Sequence, residues 1–180
     1  MLVGPSNVGK THHTAAALAA WVRRHGPEGV VVLEFAPAVV RDGRLLGGRL
    51  DRFHEPSASA WRGTLAAHAP RADADDDAAA LALARDNATR AATLLDAAPT
   101  DPRAVFVNDA TIPFQSDRVA VDRLRDYCVD ADCVVANAFE SDELGTDDPV
   151  STHERAALRA LGTWADRVVR LPDERPPWER

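Results

Sequence analysis

Residues Gly4 to Thr11 read G-P-S-N-V-G-K-T and carry the clearest chemistry in the chain. Two glycines five apart let a backbone turn tightly and approach an oxygen closely, because neither has a β-carbon. Successive N–H groups followed by a helix N-terminus then face an anion. A lysine next to the second glycine adds a point charge for phosphate, and a threonine hydroxyl beside it suits magnesium. Pro5, Ser6, Asn7 and Val8 form the loop between the glycines, and His12 follows in the first helical turn. Lys10 is the one lysine among 21 basic residues; the rest are arginine. A composition that excludes lysine elsewhere has kept it where an ammonium is needed.

Three further places could act on bound phosphate. Asp109 closes the apolar run V-F-V-N-D and could help hold magnesium or act in catalysis. Glu34 ends V-V-V-L-E and could orient water as a catalytic carboxylate. Arg41, Arg44 and Arg49, with Arg52, cluster in a glycine-rich stretch and could grip an anionic substrate. Gln115 could position water. His12 and His13 are adjacent, so they share no helix face and do not form a metal pair.

The elements that must position these residues alternate. Met1-Leu2-Val3 is a short strand leading into Gly4, and a helix is predicted to about His25, ended by Gly26-Pro27. Apolar runs at 30–35, 104–108, 133–137 and 167–171 read as further strands. Helices are predicted from Ser57 to about His68, from Asp75–Asp77 to about Ala97, over 116–128 and over 149–165, the last with Ser151 and Glu154 in capping-box spacing. Val119, Leu124 and Tyr127 are candidate core positions. Strand–helix alternation predicts an α/β fold of about five mostly parallel strands with helices on both faces, as a single domain over 1–180. Residues 38–100 are the least regular and are expected to form a lid, substrate or partner segment; residues 172–180 are expected to be a loose tail.

The loop resembles the phosphate loop of the P-loop NTPase superfamily, within the GTPase-like and accessory NTPase division, and the strand pattern extends the resemblance over most of the chain. That resemblance implies a three-layer P-loop fold binding ATP or GTP with Mg²⁺. It implies phosphate contacts from Gly4 to Thr11, metal contacts from Thr11 and Asp109, and base contacts from Asn137 and Glu140. The sequence departs from the GTPase pattern in two places. Asp109-Ala110-Thr111-Ile112 lacks the glycine of D-x-x-G, and Asn137-Ala138-Phe139-Glu140 stands in place of N-K-x-D. NTP hydrolysis is the leading expectation. Alternatives are a small-molecule kinase using 38–100 as its acceptor site, or a non-hydrolysing regulator that binds a protein partner or a second copy.

Composition narrows the rest. The formal net charge is −7, which argues against a phosphate-backbone surface and so against nucleic-acid binding. The Ala-, Asp- and Arg-rich, lysine-poor composition resembles proteins of salt-loving microbes. Cys128 and Cys133 are too few for a disulfide framework or a zinc site. No apolar run of 18 residues argues for a membrane span, and no leader precedes the motif, so a cytoplasmic location is expected.

Overall fold

The computed structural model describes residues 1–37, 39–41, 44–46, 48–53 and 59–172, with side chains outside 38–47. Strand β1 (Leu2–Gly4) runs into the phosphate loop, and α1 (Lys10–His25) leaves it. Gly9 is the N-cap of α1, and its φ of 91° is one that only glycine adopts readily. It ends where the Gly26 N–H reaches the Val22 carbonyl, with Arg23, Arg24 and His25 facing the negative end of the helix dipole.

Strand β2 (Val30–Glu34) follows, then a hairpin of β3 (Val39–Arg41) and β4 (Arg44–Leu46) and a 3-10 turn at Leu50–Arg52. Next come β5 (Trp61–Thr64), the single-turn α2 (Pro70–Asp73) and α3 (Asp77–Asp96), which Asp76 caps by accepting the Ala79 N–H at 2.8 Å. Strand β6 (Ala104–Asn108) leads through a 3-10 turn at Ile112–Phe114 to α4 (Asp122–Cys128). Strand β7 (Cys133–Phe139), α5 (Pro149–Trp164) and β8 (Val169–Arg170) complete the chain.

Six strands form one parallel sheet in the order β5-β2-β6-β7-β1-β8. Strand residues alternate between two cores, as a period of two requires. Val30, Val32, Ala104 and Phe106 pack with Ala15 and Leu18 of α1 and with Leu50. Val31, Leu33, Val105 and Val107 pack with Ala91 and Leu95 of α3, Leu124 of α4 and Leu161 of α5. The fold is therefore α/β in three layers, with α1 on one face and α3, α4 and α5 on the other. Both faces of β2 and β6 are covered, so those strands are continuous apolar runs.

The sequence reading needs four corrections. The sheet has six strands rather than five, because Trp61–Thr64 is strand β5 and not part of a helix from Ser57 to His68. An edge strand has one hydrogen-bonded neighbour and can lack a long apolar run. A Cβ on its Gly63 would lie 2.9 Å from Leu94 Cγ, so glycine lets α3 pack close. The helix predicted over 116–128 begins only at Asp122; the Ser116 hydroxyl accepts the Arg118 N–H at 3.4 Å and competes with helix formation. In α5 the N-cap is Asp148, which accepts the Ser151 N–H at 2.9 Å, so Ser151 is not the cap. Strand β8 is shorter than 167–171. Leu124 is buried, with Val119 and Tyr127 half-buried against it in the same core. Ser57 and the tail from 173 onward fall outside the described residues. No helix among the described residues is long and apolar enough to cross a membrane.

Candidate functional site

The carboxyl ends of β1, β6 and β7 meet at one edge of the sheet, where open parallel sheets form their crevices. Gly4 turns the chain there with φ 153°, and a Cβ on it would sit 2.8 Å from the Leu171 carbonyl oxygen. Only glycine fits. Asn7, at φ 62°, and Gly9 then bend the loop so that α1 starts at Lys10. The Ser6 N–H donates to the Glu143 carboxylate at 2.8 Å, so one loop amide already faces an anionic oxygen.

Lys10 Nζ donates to the carbonyls of Gly4, at 2.9 Å, and Pro5, and stands 5.9 Å from the centre of the Phe139 ring. Burial lowers its pKa, while the Asp109 and Glu143 carboxylates pull it back up. Its charge is thus held over the loop rather than released to solvent. The loop, α1 and the end of β6 border a cavity of about 370 Å³ lined by Gly9, Lys10, Thr11, Phe53, Asp109 and Gln115 among others.

Strand β7 lies between β1 and β6, which places Asn137 between the loop strand and Asn108. Asn137 Nδ2 donates to Thr14 Oγ1 and to Asn108 Oδ1, both at 2.9 Å, while its Oδ1 accepts the Asp109 N–H at 3.0 Å. Asn108 Oδ1 also accepts the Thr11 hydroxyl at 3.3 Å, and Asn108 Nδ2 donates to Glu34 Oε2 and the Gly48 carbonyl. These amides are committed to one another, as buried polar groups require. They lock the ends of β2, β6 and β7 to the first turn of α1.

Asp109 follows at φ 61°, a conformation unusual for a residue with a side chain. Its Oδ1 is buried without a hydrogen-bond partner among the described residues. Burial, helped by the Glu154 carboxylate, pushes its pKa up to about 7 against the opposing pull of Lys10 and Arg71. A carboxyl poised near neutrality beside a lysine is suited to exchanging a proton at physiological pH.

No family model matches the chain, and no curated protein or solved structure matches it significantly. The reading of the site therefore rests on its own geometry.

The cavity gathers Ser6, Asn7, Gly9, Lys10, Thr11, His12 and Asp109 from the sequence reading. Pro5 and Val8 shape the loop without lining the cavity. The surroundings of Asp109 and Glu34 differ. Asn108, the last residue of β6, accepts the Thr11 hydroxyl, and Asp109 follows outside the strand at φ 61°. Asp109 lines the same cavity as Thr11. Glu34 is fully buried and off the cavity wall; its Oε1 accepts the Leu50 N–H at 2.9 Å, and its Oε2 is taken by Asn108. Burial raises its pKa, with those hydrogen bonds opposing the rise. Glu34 can brace the site but does not reach into it.

The expected base contacts are also engaged elsewhere. Asn137 lines the cavity with both Nδ2 protons already given, and the Glu140 carboxylate pairs with Arg170 Nε and Nη2 at 3.0 and 3.2 Å. Arg49 is exposed and off the cavity wall, whereas Arg52 is on it. The backbones of Arg41 and Arg44 lie in the hairpin, and their side chains are outside the described residues. His12 stands edge-on to Phe53, with ring centres 5.5 Å apart.

The sequence reading missed a second set of residues. Glu154 of α5, 4% exposed, accepts the Thr111 hydroxyl at 2.9 Å, Gln115 Nε2 at 3.0 Å and Arg71 Nη2 at 2.7 Å. Arg71 also donates to Ser151 Oγ at 3.1 Å and faces the cavity. A glutamate mid-helix on the buried stripe of α5 was the available signal, since an unpaired carboxylate is rarely buried. Arg71 gave none, in a chain whose cations are nearly all arginine.

The donors present fit a hard cation beside a phosphate. The Thr11 hydroxyl gives its proton to Asn108 and leaves its oxygen lone pairs for a metal, as oxygen-seeking Mg²⁺ requires. No cluster of three or more His, Cys, Asp or Glu exists among the described residues, so a protein-only metal cage is not built there.

Proposed function

We propose that the chain binds a nucleoside triphosphate, ATP or GTP, with Mg²⁺ and hydrolyses its terminal phosphate. The observation that carries this reading is the junction of β1 and α1. Gly4 has no room for a Cβ, the helix starts at the next glycine, and the lone lysine of the chain lies over the loop beside a cavity. Loop amides and the start of α1 would hold the phosphates. Lys10 would leave the Gly4 and Pro5 carbonyls for phosphate oxygen and neutralise developing negative charge. Thr11 would hold Mg²⁺, which supplies further charge neutralisation on the phosphate oxygens. Phe53 and Leu144, which line the cavity, offer apolar surface for the base.

In the proposed step a water oxygen bonds to the γ-phosphorus as the bond from that phosphorus to the β,γ-bridging oxygen breaks. The water's proton passes to the Asp109 carboxylate, and the nucleoside diphosphate leaves with the bridging oxygen. Glu34, Asn108 and Asn137 are positioning residues that fix Thr11 and the backbone of Asp109.

The reading is tested by measuring nucleotide binding and phosphate release with Mg·ATP and Mg·GTP, for wild type and Lys10→Ala. Wild type is expected to bind at least one nucleotide, and the variant to lose binding by a factor of ten or more, about 1.4 kcal/mol. Equal binding by the two proteins defeats the proposal.

A further inference from the structure

A loop that holds phosphate does so by giving backbone N–H groups to oxygen, and one such group in this chain is already taken. The Ser6 N–H donates to the Glu143 carboxylate at 2.8 Å. Glu143 lies between β7 and α5, in a segment whose two ends are fixed. At one end the Glu140 N–H donates to the Gly4 carbonyl at 3.0 Å; at the other Asp148 caps α5. Between these anchors residues 142–147 are exposed. The Glu143 N–H turns back to the Ser141 hydroxyl at 3.2 Å, and the Gly145 N–H to the Asp142 carbonyl at 3.1 Å, with Gly145 at φ 91°. Asp142 pairs with Arg155 of α5. Leu144, next to Glu143, lines the cavity beside Lys10. The Glu143 charge also reaches Lys10, where with Asp109 it opposes the lowering of the lysine pKa by burial. A short turn thus brings an anionic oxygen onto the loop from a neighbouring strand end.

A backbone N–H has one proton, and an ionised carboxylate and a phosphate oxygen are both acceptors. The two compete for Ser6, and their like charges repel at close range. We propose that Glu143 is a built-in competitor of the phosphate ligand: its carboxylate occupies the Ser6 amide until the phosphates of a nucleotide displace it. The inference rests on the nucleotide reading above and adds an autoinhibitory contact to that site. The contact is exposed, so its strength is modest. Apparent affinity falls with the fraction of molecules whose loop is open, so a contact closed in about two thirds to nine tenths of them weakens binding about three- to tenfold.

The test measures dissociation constants for Mg·ATP and Mg·GTP by calorimetry on wild type, Glu143→Ala, Glu143→Gln and Asp147→Asn, with melting temperatures to check that each is folded. Glu143→Ala removes the acceptor and is expected to bind at least one nucleotide about three- to tenfold tighter than wild type. Glu143→Gln keeps an oxygen for the Ser6 N–H but drops the charge, and its affinity is expected to fall between the two. Asp147 is exposed in the same segment and takes the Thr146 hydroxyl at 2.9 Å rather than a loop amide. Asp147→Asn therefore removes the same charge without opening the loop, and its affinity is expected to stay within about twofold of wild type. Equal gains in Asp147→Asn and Glu143→Ala overturn the competitor, because net charge alone then accounts for them. Unchanged or weaker binding by Glu143→Ala also overturns it and leaves the nucleotide reading standing. If neither wild type nor Glu143→Ala binds either nucleotide, both readings fall.

Discussion

Asp109 concentrates the cost of the site in one residue. Its carboxyl is desolvated, close to Glu154, and carried on a backbone at φ 61°. Its folded pKa of about 7 stands above the unfolded value near 3.8, so the folded state holds the proton more tightly. Between those two values the stability contributed by this group falls as pH rises, and above about 7 the whole penalty is present. Asp109→Asn removes the charge. Thermal melts at pH 8 should show the variant more stable by about 1–3 kcal/mol, with the gap closing toward pH 4, while phosphate release is lost. A variant that melts lower than wild type at pH 8 would contradict the account of Asp109. The sequence showed that V-F-V-N-D ends in two polar groups but not which of them meets Thr11. That depends on where β6 ends and on a positive φ, and neither can be read from residue types. Glu154 was hidden for a related reason, since a capping-box spacing explained it locally while its actual partners come from other elements.

Among the elements, the junction of β1 with the loop is the least tolerant of change. Gly4→Ala would bring a methyl to 2.8 Å from the Leu171 backbone oxygen, where no flexible side chain can give way. The expected loss is about 1–3 kcal/mol, seen as a melting temperature lower by roughly 2–4 °C per kcal/mol, together with weaker nucleotide binding. An unchanged melting temperature would show that β1 and the segment after β8 are not held as tightly as described. The interior strands were legible because both of their faces are covered, which forces continuous apolar runs such as Val30–Leu33 and Ala104–Val107. Helices α1, α3 and α5 were legible from Gly26-Pro27, from the aspartates before residue 77, and from Pro149. Strand β5 was not, since Trp61-Arg62-Gly63-Thr64 pairs on one side only and carries no such run. The start of α4 was misplaced because Gln115 and Ser116 are buried by tertiary contacts rather than by helix periodicity.

Across the whole molecule, a parallel sheet brings three strand ends to one crevice, and α1 starts in that crevice. Helix α1 packs on one face with Leu50, while α3, α4 and α5 share the other. Glu154 of α5 and Arg71 of α2 line the cavity together with Lys10, and their pairing joins residues 80 or more positions apart. Ligand that binds only the folded state at 100 times its Kd adds about 2.7 kcal/mol of stability, equivalent to roughly 5–10 °C in a domain of this size. The most direct measurement is the melting temperature of wild type and of Lys10→Ala, each with and without Mg·ATP or Mg·GTP at millimolar concentration. Wild type should rise by several degrees with at least one nucleotide and Lys10→Ala should stay put; equal shifts in both proteins, or no shift in wild type with either nucleotide, would contradict the phosphate site.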